Sequence, residues 1–326
     1  METMKKQKLL NALKSALKRE IEAFNFYIRE SQKQSYPEVN TLFLQLAEEE
    51  RKHRQFIIKE IQKVKNLLVG NSYETGKVSY NIPDTPDVKN IYSLPFVDNI
   101  VITLPSELLS GDYIESFIID REQCCSVLGI FLFDVMGHDM KSSKVKAELK
   151  NIIGSIVEEN KKNALQSDIT DTGKIMSLIN KEIFHVCTES GRYITCLYGI
   201  FDFDNRMFTY TSAGHDTPIH IRKDGSYNNI EKTELLLGAV PDIYYTASDI
   251  PIDIGDIIIM FSDGLSEAYN KKGEMFQRES IIKSTEEMDT GSAKAIVNNI
   301  FASLKNHTQG GALSDDFTLA VFKILG

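Results

Sequence analysis

Cysteine and basic charge are both scarce in this sequence. The chain has four cysteines, Cys124, Cys125, Cys187 and Cys196, two of which are adjacent, and none shows CxxC or other metal-ligand spacing. This usage favours reduced core residues over a disulfide framework and indicates a cytoplasmic protein. Lysine and arginine together number 37 against 46 aspartates and glutamates, which gives a net charge of −9. A chain without clustered basic residues is not expected to bind nucleic acid.

Long apolar segments are also missing. The N-terminus begins with lysines and leucines, but Asn11, Lys14 and Lys18 interrupt the segment well short of a signal peptide or a membrane span. No membrane segment is therefore expected. The 326 residues are 42% hydrophobic, which is enough for one large and one small globular domain.

Two amphipathic helices are predicted at the N-terminus, over residues 4–34 and 38–68, with a break at Ser35-Tyr36-Pro37. Apolar residues recur at three- and four-residue steps in both segments. These residues are Leu9, Leu13, Leu17, Phe24 and Ile28 in the first helix and Phe43, Leu46, Ile57, Ile61, Val64 and Leu68 in the second. We expect the two helices to form an antiparallel hairpin.

Three polar residues, Glu20, Glu50 and His53, continue the apolar stripes where leucine would be expected. We therefore expect them to point inward. Glu50 and His53 form an E-x-x-H pair on one helical face, and with Glu20 they make half of a di-iron carboxylate site. The other interpretation is a dimerising hairpin whose glutamates and histidine are solvated or ion-paired, because E-x-x-H also arises by chance in charged helices.

This pattern resembles the rubrerythrin branch of the ferritin-like family over about the first 70 residues. That family builds its di-metal site from four helices, whereas this chain has two. The resemblance therefore implies a homodimer in which Glu20, Glu50 and His53 are contributed twice to an iron site.

The rest of the chain divides into a linker over residues 70–94 and a second domain over residues 95–326, after a helical domain over 1–69. The linker mixes Gly, Asn, Ser, Asp and Pro without periodicity. In the second domain, groups of strands and helices predict an α+β layered sandwich. The predicted strands are Ile100–Leu104, Ser116–Ile119, Ser126–Phe133, Tyr193–Phe203, Phe208–Ser212, Ile219–Arg222, Asp256–Phe261 and Phe317–Phe322. The predicted helices are Ser142–Asn163, Thr172–Thr188 and Ala293–Asn306.

Carboxylates stand at the ends of several predicted strands. Asp134 ends the most apolar run, and Asp263 follows another after one serine. Asp112 follows Gly111, and the pair Asp315-Asp316 precedes the last strand. Because a carboxylate beside apolar strands is costly unless it is paired or metal-bound, these positions predict a hard-cation cluster of the two-metal kind.

Six ordered motifs in residues 95–326 resemble the metal-dependent protein phosphatase (PPM, type 2C) family, in its SpoIIE-like branch. They are Ser110-Gly111-Asp112-Tyr113, Phe133-Asp134-Val135-Met136-Gly137-His138, Thr211-Ser212-Ala213-Gly214-His215, Leu237-Gly238, Phe261-Ser262-Asp263-Gly264-Leu265 with Glu267, and Asp315-Asp316-Phe317-Thr318. The resemblance implies an αββα sandwich and a serine/threonine phosphatase with two Mn²⁺ or Mg²⁺ ions.

The resemblance also implies the role of each ligand. Asp134 bridges the two metals, Asp112 and the Val135 carbonyl complete one site, and Asp263 and Asp315 complete the other. In this branch the substrates are commonly STAS-type anti-sigma-factor antagonists, and accessory domains act on helices at the phosphatase dimer interface.

The sequence leaves the roles of some residues open. His138 either protonates a leaving group or is a turn histidine bonded to backbone. Met136 and Asp139 stand where the family has Ser and Gly, and the motifs contain no evident basic residue to hold phosphate. The alternatives to a phosphatase are a non-catalytic phosphoprotein-binding module and a di-iron oxidase or peroxidase-like sensor with phosphatase output.

Overall fold

The computed structural model describes residues 94–106, 110–119, 127–137, 139–162, 168–228, 234–286, 291–309, 311, 313 and 315–325, with scattered positions between 9 and 57. The chain divides into two compact units, Met1–Lys77 and Val78–Gly326. In the first unit the described positions from 9 to 33 and from 39 to 57 are helical, with Tyr36 at a bend. The rings of Tyr27 and Phe43 lie 6.3 Å apart, so the two helical segments contact each other.

The second unit contains two antiparallel sheets of five strands each. The first has the order β1-β10-β9-β6-β7 and the second the order β2-β3-β4-β5-β8. The strands are β1 Val97–Leu104, β2 Tyr113–Ile119, β3 Val127–Val135, β4 Ile194–Asp202, β5 Met207–Ala213, β6 Ile219–Ile221, β7 Tyr227–Asn228, β8 Ser248–Pro251, β9 Ile257–Phe261 and β10 Phe317–Ile324.

Helices cover the outer face of each sheet. They are α1 Met140–Lys161, α2 Thr172–Ser190, α3 Asp263–Ser266, α4 Gln277–Glu286 and α5 Ala293–Thr308. One hydrophobic cluster joins α1 and α2 to the second sheet, and another joins α4 and α5 to the first. A third cluster fills the space between the sheets. This αββα arrangement confirms the α+β sandwich predicted from the sequence.

The alternation of side chains in β3 places Asp134 between the sheets. Phe131, Phe133 and Val135 belong to the cluster beneath α1 and α2, whereas Leu132 belongs to the layer between the sheets. Since successive side chains of a strand point to opposite faces, Asp134 shares the inner face with Leu132. The strand therefore delivers one carboxylate to the end of an apolar layer.

Several elements differ from the sequence predictions. Strand β2 begins at Tyr113 instead of Ser116, because its first residues already pair with β3. The short strands β7 and β8 and the helices α3 and α4 were missed. Strands of two and four residues, the second ending at Pro251, carry little periodic signal, and α4 is rich in polar residues. None of the helices in the described residues combines the length and the apolar character needed to cross a membrane.

Candidate metal centre

Four of the predicted carboxylates lie at one end of the sandwich. Asp112 directly precedes β2, whose antiparallel pairing with β3 brings it to the same edge as Asp134. Asp263 follows the end of β9, and Asp315 precedes the start of β10, the antiparallel neighbour of β9. The charge of Asp134 acts on both Asp112 and Asp263. Asp134 therefore interacts electrostatically with a carboxylate from each of the two sheets.

Asp112 is a buried carboxylate with only 3% of its surface exposed. Burial raises the pKa of its carboxyl well above the ordinary value, and the nearby charge of Asp134 raises it further. Hydrogen bonds from Ser262 and Thr318 lower the pKa without cancelling these effects. A bound cation would favour the ionised form of Asp112.

Asp263 lies in an acidic environment although part of it reaches solvent. Desolvation of the carboxyl raises its pKa well above the ordinary value, and the charges of Asp134 and Asp315 raise it further, followed by those of Glu267 and Asp112. The raised pKa indicates a site that favours positive charge.

Gly111 forms a close contact with two of the predicted ligands. A Cβ at this position would overlap Oδ1 of Asp134 and would stand 2.8 Å from the carbonyl oxygen of Val135. The Asp134 carboxylate oxygen and the Val135 carbonyl oxygen therefore both lie close to the backbone of Gly111. Carboxylate and carbonyl oxygens are the ligands that Mg²⁺ and Mn²⁺ prefer, so the donor set fits the predicted ions.

The carboxylates do not by themselves form a compact ligand shell. Within the part of the chain that the structure describes, no three His, Cys, Asp or Glu side chains are grouped tightly enough to hold a metal ion. Gly264 brings the segments of Asp263 and Asp315 together, because a Cβ on Gly264 would collide with the carbonyl oxygen of Asp316. The backbone segments that carry Asp263 and Asp315 are therefore close-packed.

Ser262 connects the two sheets, a role that the sequence did not predict. Its hydroxyl donates to Oδ2 of Asp112 at 2.6 Å and accepts from the Thr318 N–H at 2.8 Å. The side chain is fully buried. Ser262 therefore fixes the orientation of Asp112, and the sequence signal for it was its place immediately before Asp263.

Asp316 is an anchor for the loop that carries Gly111. Its Oδ2 accepts from the Gly111 N–H at 2.6 Å, and its Oδ1 accepts from the Ser106 N–H at 2.7 Å and hydroxyl at 3.0 Å. These bonds occupy the carboxylate of Asp316. Oδ1 of Asp315 accepts the N–H of Asp316 at 2.8 Å. Because the carboxylate of Asp316 holds the loop, Asp316 is the less favourable metal ligand of the pair.

His215 connects the ends of β4 and β9 beside the carboxylates. Its Nδ1 lies 2.9 Å from the hydroxyl of Thr195, the cross-strand partner of Asp134, and its Nε2 lies 3.1 Å from the carbonyl oxygen of Phe261. A neutral ring that accepts from the hydroxyl and donates to the carbonyl satisfies both contacts. Burial lowers the pKa of His215 to about 4, which keeps the ring neutral. These contacts give His215 a structural role.

Two basic residues lie near the centre. Nζ of Lys146 donates to the carbonyl oxygens of Ser110 and Asp112 at 2.9 and 2.6 Å, so it holds the loop and not a side-chain carboxylate. Arg192 pairs with Asp139, which also caps the N-terminus of α1. The hydrogen bond from the Ser142 N–H and the Arg192 guanidinium lower the pKa of Asp139. The unusual Asp139 noted in the sequence is therefore a helix cap tied to Arg192.

The remaining predicted site residues are only partly described. His138, Glu20 and Glu50 lie outside the described residues. His53 is helical and exposed on the single chain. The predicted iron site, which needs a second copy of the chain, thus stays a prediction.

Comparison with known proteins assigns a family to the second domain. Residues 126–325 match the family model of stage II sporulation protein E (SpoIIE). The chain belongs to the SpoIIE family. Residues 11–87 match the rubrerythrin family model, so the N-terminal domain is rubrerythrin-like, as the sequence predicted.

Among curated SpoIIE relatives, the phosphoserine phosphatase RsbU of Bacillus subtilis (strain 168) is 30% identical over 226 residues. The match covers 68% of this chain and 62% of RsbU, so the chain spans less than two thirds of that relative. The SiaA-PP2C domain of Pseudomonas aeruginosa has a TM-score of 0.56 at 17% identity, covering 69% of this chain and 85% of that domain. RsbX, solved in complex with magnesium, has a TM-score of 0.52 at 18% identity, covering 74% and 100%. These two structures share the PP2C-type fold.

Proposed function

We propose that this protein is a metal-dependent phosphatase that removes phosphate from phosphoserine or phosphothreonine of a regulatory protein. The observation that carries the proposal is the position of Asp134 between Asp112 and Asp263, with Gly111 packed against its carboxylate. The curated relative RsbU is a phosphoserine phosphatase, and RsbX was solved with magnesium. Both findings support this reaction and this type of cofactor.

Two Mn²⁺ or Mg²⁺ ions would be held, in this proposal, by the carboxylates of Asp112, Asp134, Asp263 and Asp315 and by the carbonyl of Val135. When bound, such ions lower the pKa of water and neutralise phosphoryl oxygens. The chain's own contribution is to place the ligands, through the hydroxyl of Ser262 on Asp112 and the carboxylate of Asp316 on the Gly111 loop. The reaction needs no side-chain nucleophile, and a role for His138 in leaving-group protonation stays a prediction.

The test is the release of phosphate from a phosphoserine protein with Mn²⁺ present, measured for the native chain and for Asp134→Asn. We expect the native chain to be active and Asp134→Asn to be inactive, because the asparagine keeps the shape but removes the shared charge. Asp224→Asn, in the exposed β6–β7 turn, is the control that should retain activity. Equal rates for the native chain and Asp134→Asn would refute the enzymatic function.

We also propose a substrate and a regulatory role for the N-terminal domain. The substrate is a phosphorylated STAS-type protein, and the rubrerythrin-like domain dimerises the chain and binds iron through Glu20, Glu50 and His53 of both copies. The setting is cytoplasmic, in keeping with the free thiols of the buried Cys187 and Cys196. To test the role of the N-terminal domain, the iron content and the molecular mass of the full chain are measured for the native protein and for Glu50→Ala. A metal-free native monomer would exclude this role.

A further inference from the structure

The peptide bond between Val135 and Met136 carries one of the proposed metal ligands, the Val135 carbonyl, and its direction is fixed by the residue that precedes β4. The N–H of Met136 donates to the carbonyl oxygen of Tyr193 at 3.0 Å. In a trans peptide the N–H and the carbonyl point in opposite directions. The bond to Tyr193 therefore turns the Val135 oxygen towards Gly111, where a Cβ would stand 2.8 Å from it.

The next carbonyl of the same turn is held by helix α1. The hydroxyl of Ser142, a residue with 3% of its surface exposed, donates to the carbonyl oxygen of Met136 at 3.0 Å. The same hydroxyl lies 3.0 Å from Oδ1 of Asp139. That oxygen also accepts the N–H groups of Lys141 and Ser142 at 3.1 and 3.0 Å, as the side chain of an N-cap residue does. The turn after β3 is thus tied to the N-terminus of α1 through Ser142 and Asp139.

Arg192 joins these two supports. It directly precedes Tyr193, and its guanidinium donates to Oδ2 of Asp139, the oxygen that does not cap the helix. Nε of Arg192 is shielded from solvent, and a Cβ on Gly137 would stand 3.5 Å from it. The φ angle of Gly137 is 93°, which favours glycine, so the guanidinium lies beside the backbone of the turn. On the other side, the Arg192 N–H donates to the carbonyl oxygen of Cys187 in α2 at 3.1 Å.

The positive charge of Arg192 does not explain its place near a metal centre. Arg192 lies three residues before Thr195, the cross-strand partner of Asp134, which is roughly 10 Å along the chain at 3.3 Å per residue. A cation at such a distance opposes the binding of divalent ions. Asp139 offsets this charge, but the pair is partly exposed, with 24% of the Arg192 side chain and 50% of the Asp139 side chain accessible, and so contributes little to stability. The contact with the turn is the contribution that remains.

We propose that Arg192 is a positioning residue of the metal centre. Together with Asp139 it holds the turn after β3 in place, and through the adjoining Tyr193 carbonyl it fixes the peptide that presents the Val135 oxygen to a metal ion. This inference rests on the proposed function, because it takes the Val135 carbonyl as a ligand. Residues that orient metal ligands in this way change the metal affinity without touching the ion.

The test is the affinity of the full chain for Mn²⁺, measured from the EPR signal of the unbound ion, in the native protein and in Arg192→Met. Positioning and charge predict opposite signs. Loss of a cation alone would tighten Mn²⁺ binding, whereas loss of a positioning residue should weaken it about 10–100-fold at one of the two sites. Arg206→Met, which removes a guanidinium from the exposed pair with Asp253, is the matched control and should bind Mn²⁺ within about twofold of the native protein.

Three further measurements separate positioning from a general loss of stability. In the metal-free protein, the Met136 amide should lose protection from hydrogen exchange in Arg192→Met, while the amides of β9 keep theirs. Arg192→Lys keeps the charge but lacks the planar guanidinium, so it should weaken Mn²⁺ binding by a smaller factor in the same direction. Asp139→Asn retains a capping side chain. It should weaken Mn²⁺ binding in the native protein but change it less than about threefold in Arg192→Met, because both substitutions break the same contact.

The outcomes distinguish this inference from the proposed function. Mn²⁺ binding in Arg192→Met that is as tight as in the native protein, or tighter, would overturn the inference and leave the proposed function standing. Equal protection of the Met136 amide in the two proteins would also overturn it. A native chain that binds no Mn²⁺ and releases no phosphate would instead refute the proposed function, and the inference with it.

Discussion

Gly111→Ala is the substitution that tests the proposed ligand geometry with the smallest change. The backbone of Gly111 is not in the left-handed region, so alanine is conformationally allowed there. The added methyl group would stand 2.8 Å from the carbonyl oxygen of Val135, about 0.6 Å inside the ordinary contact that begins at 3.4 Å. It would also overlap Oδ1 of Asp134. Either the strand end or the carboxylate must move.

The expected loss follows from the tolerance of metal sites. Ligand distances in such sites vary by only about 0.2 Å, and a misplacement on the order of 1 Å costs about 100-fold in rate. We therefore expect kcat/KM for phosphate release from a phosphoserine protein to fall at least about tenfold, and towards 100-fold. Activity should recover only partly at high Mn²⁺, because the geometry and not only the affinity is changed.

Gly154→Ala is the matched control. Gly154 lies inside α1, and a Cβ there would meet no atom within 4 Å. We expect this variant to keep native activity and to gain about 0.5–1 kcal/mol of stability from its better helix propensity. If Gly111→Ala hydrolyses the substrate within threefold of the native rate at every Mn²⁺ concentration, the assignment of Asp134 and Val135 as ligands is refuted.

Three further predictions concern the groups around the centre. Ser262→Ala should lose roughly 1–3 kcal/mol of unfolding free energy in urea titrations, because the Thr318 N–H loses its partner, and should weaken Mn²⁺ binding about 10–100-fold in calorimetry. In the control Ser284→Ala, the hydroxyl removed donates to the Ser280 carbonyl oxygen within α4, so neither quantity should change by a comparable amount. Asp112→Asn should abolish activity. It should also raise the Tm of the metal-free protein by about 2–4 °C per kcal/mol of relieved repulsion, because burial and nearby charge disfavour the ionised carboxyl. A lowered Tm would contradict this. The pKa of His215 in the folded protein, about 4, lies below the ordinary value of 6.5. The contribution of His215 to the free energy of unfolding is therefore complete above pH 6.5 and is lost as pH falls towards 4, by roughly 3 kcal/mol in total. Urea titrations between pH 7 and 4 should show this loss in the native chain and a smaller one in His215→Asn.

Residues that terminate long buried strands were predictable from the sequence. The apolar run of β3 and its final Asp134 form a local pattern, and the same is true of β9 and Asp263. Because antiparallel neighbours share their ends, the convergence of these carboxylates follows from strand order once the family resemblance is recognised. The sandwich and its outer helices α1, α2 and α5 were therefore expected correctly, whereas the outer helix α4 was missed.

Bonds between distant segments could not be predicted in the same way. Ser262 and Asp112 are separated by 150 positions, and Asp316 and Gly111 by 205. Neither pair leaves a periodic signal, since each depends on the exact approach of two sheets. Asp139 appeared only as a departure from the family pattern, and its pairing with Arg192 joins the N-terminus of α1 to the turn between α2 and β4, which no local pattern shows.

The sequence likewise did not show that a polar residue is buried in an apolar layer. His220 had no recognisable partner along the chain, because Asp256 lies 36 positions away on the turn before β9. The pairing of β6 with β9 brings the two together. The register that completes the core thus also brings this buried pair into contact.

The most direct measurement of the central claim is anomalous diffraction at the manganese edge from crystals of the full chain with Mn²⁺. The account predicts two manganese peaks at the carboxylate end of the sandwich, both bonded to Asp134, with Asp112 and the Val135 carbonyl on one ion and Asp263 and Asp315 on the other. Manganese peaks found only elsewhere in the phosphatase domain would contradict the account. Two peaks at the carboxylate end that persist in Asp134→Asn would also contradict it.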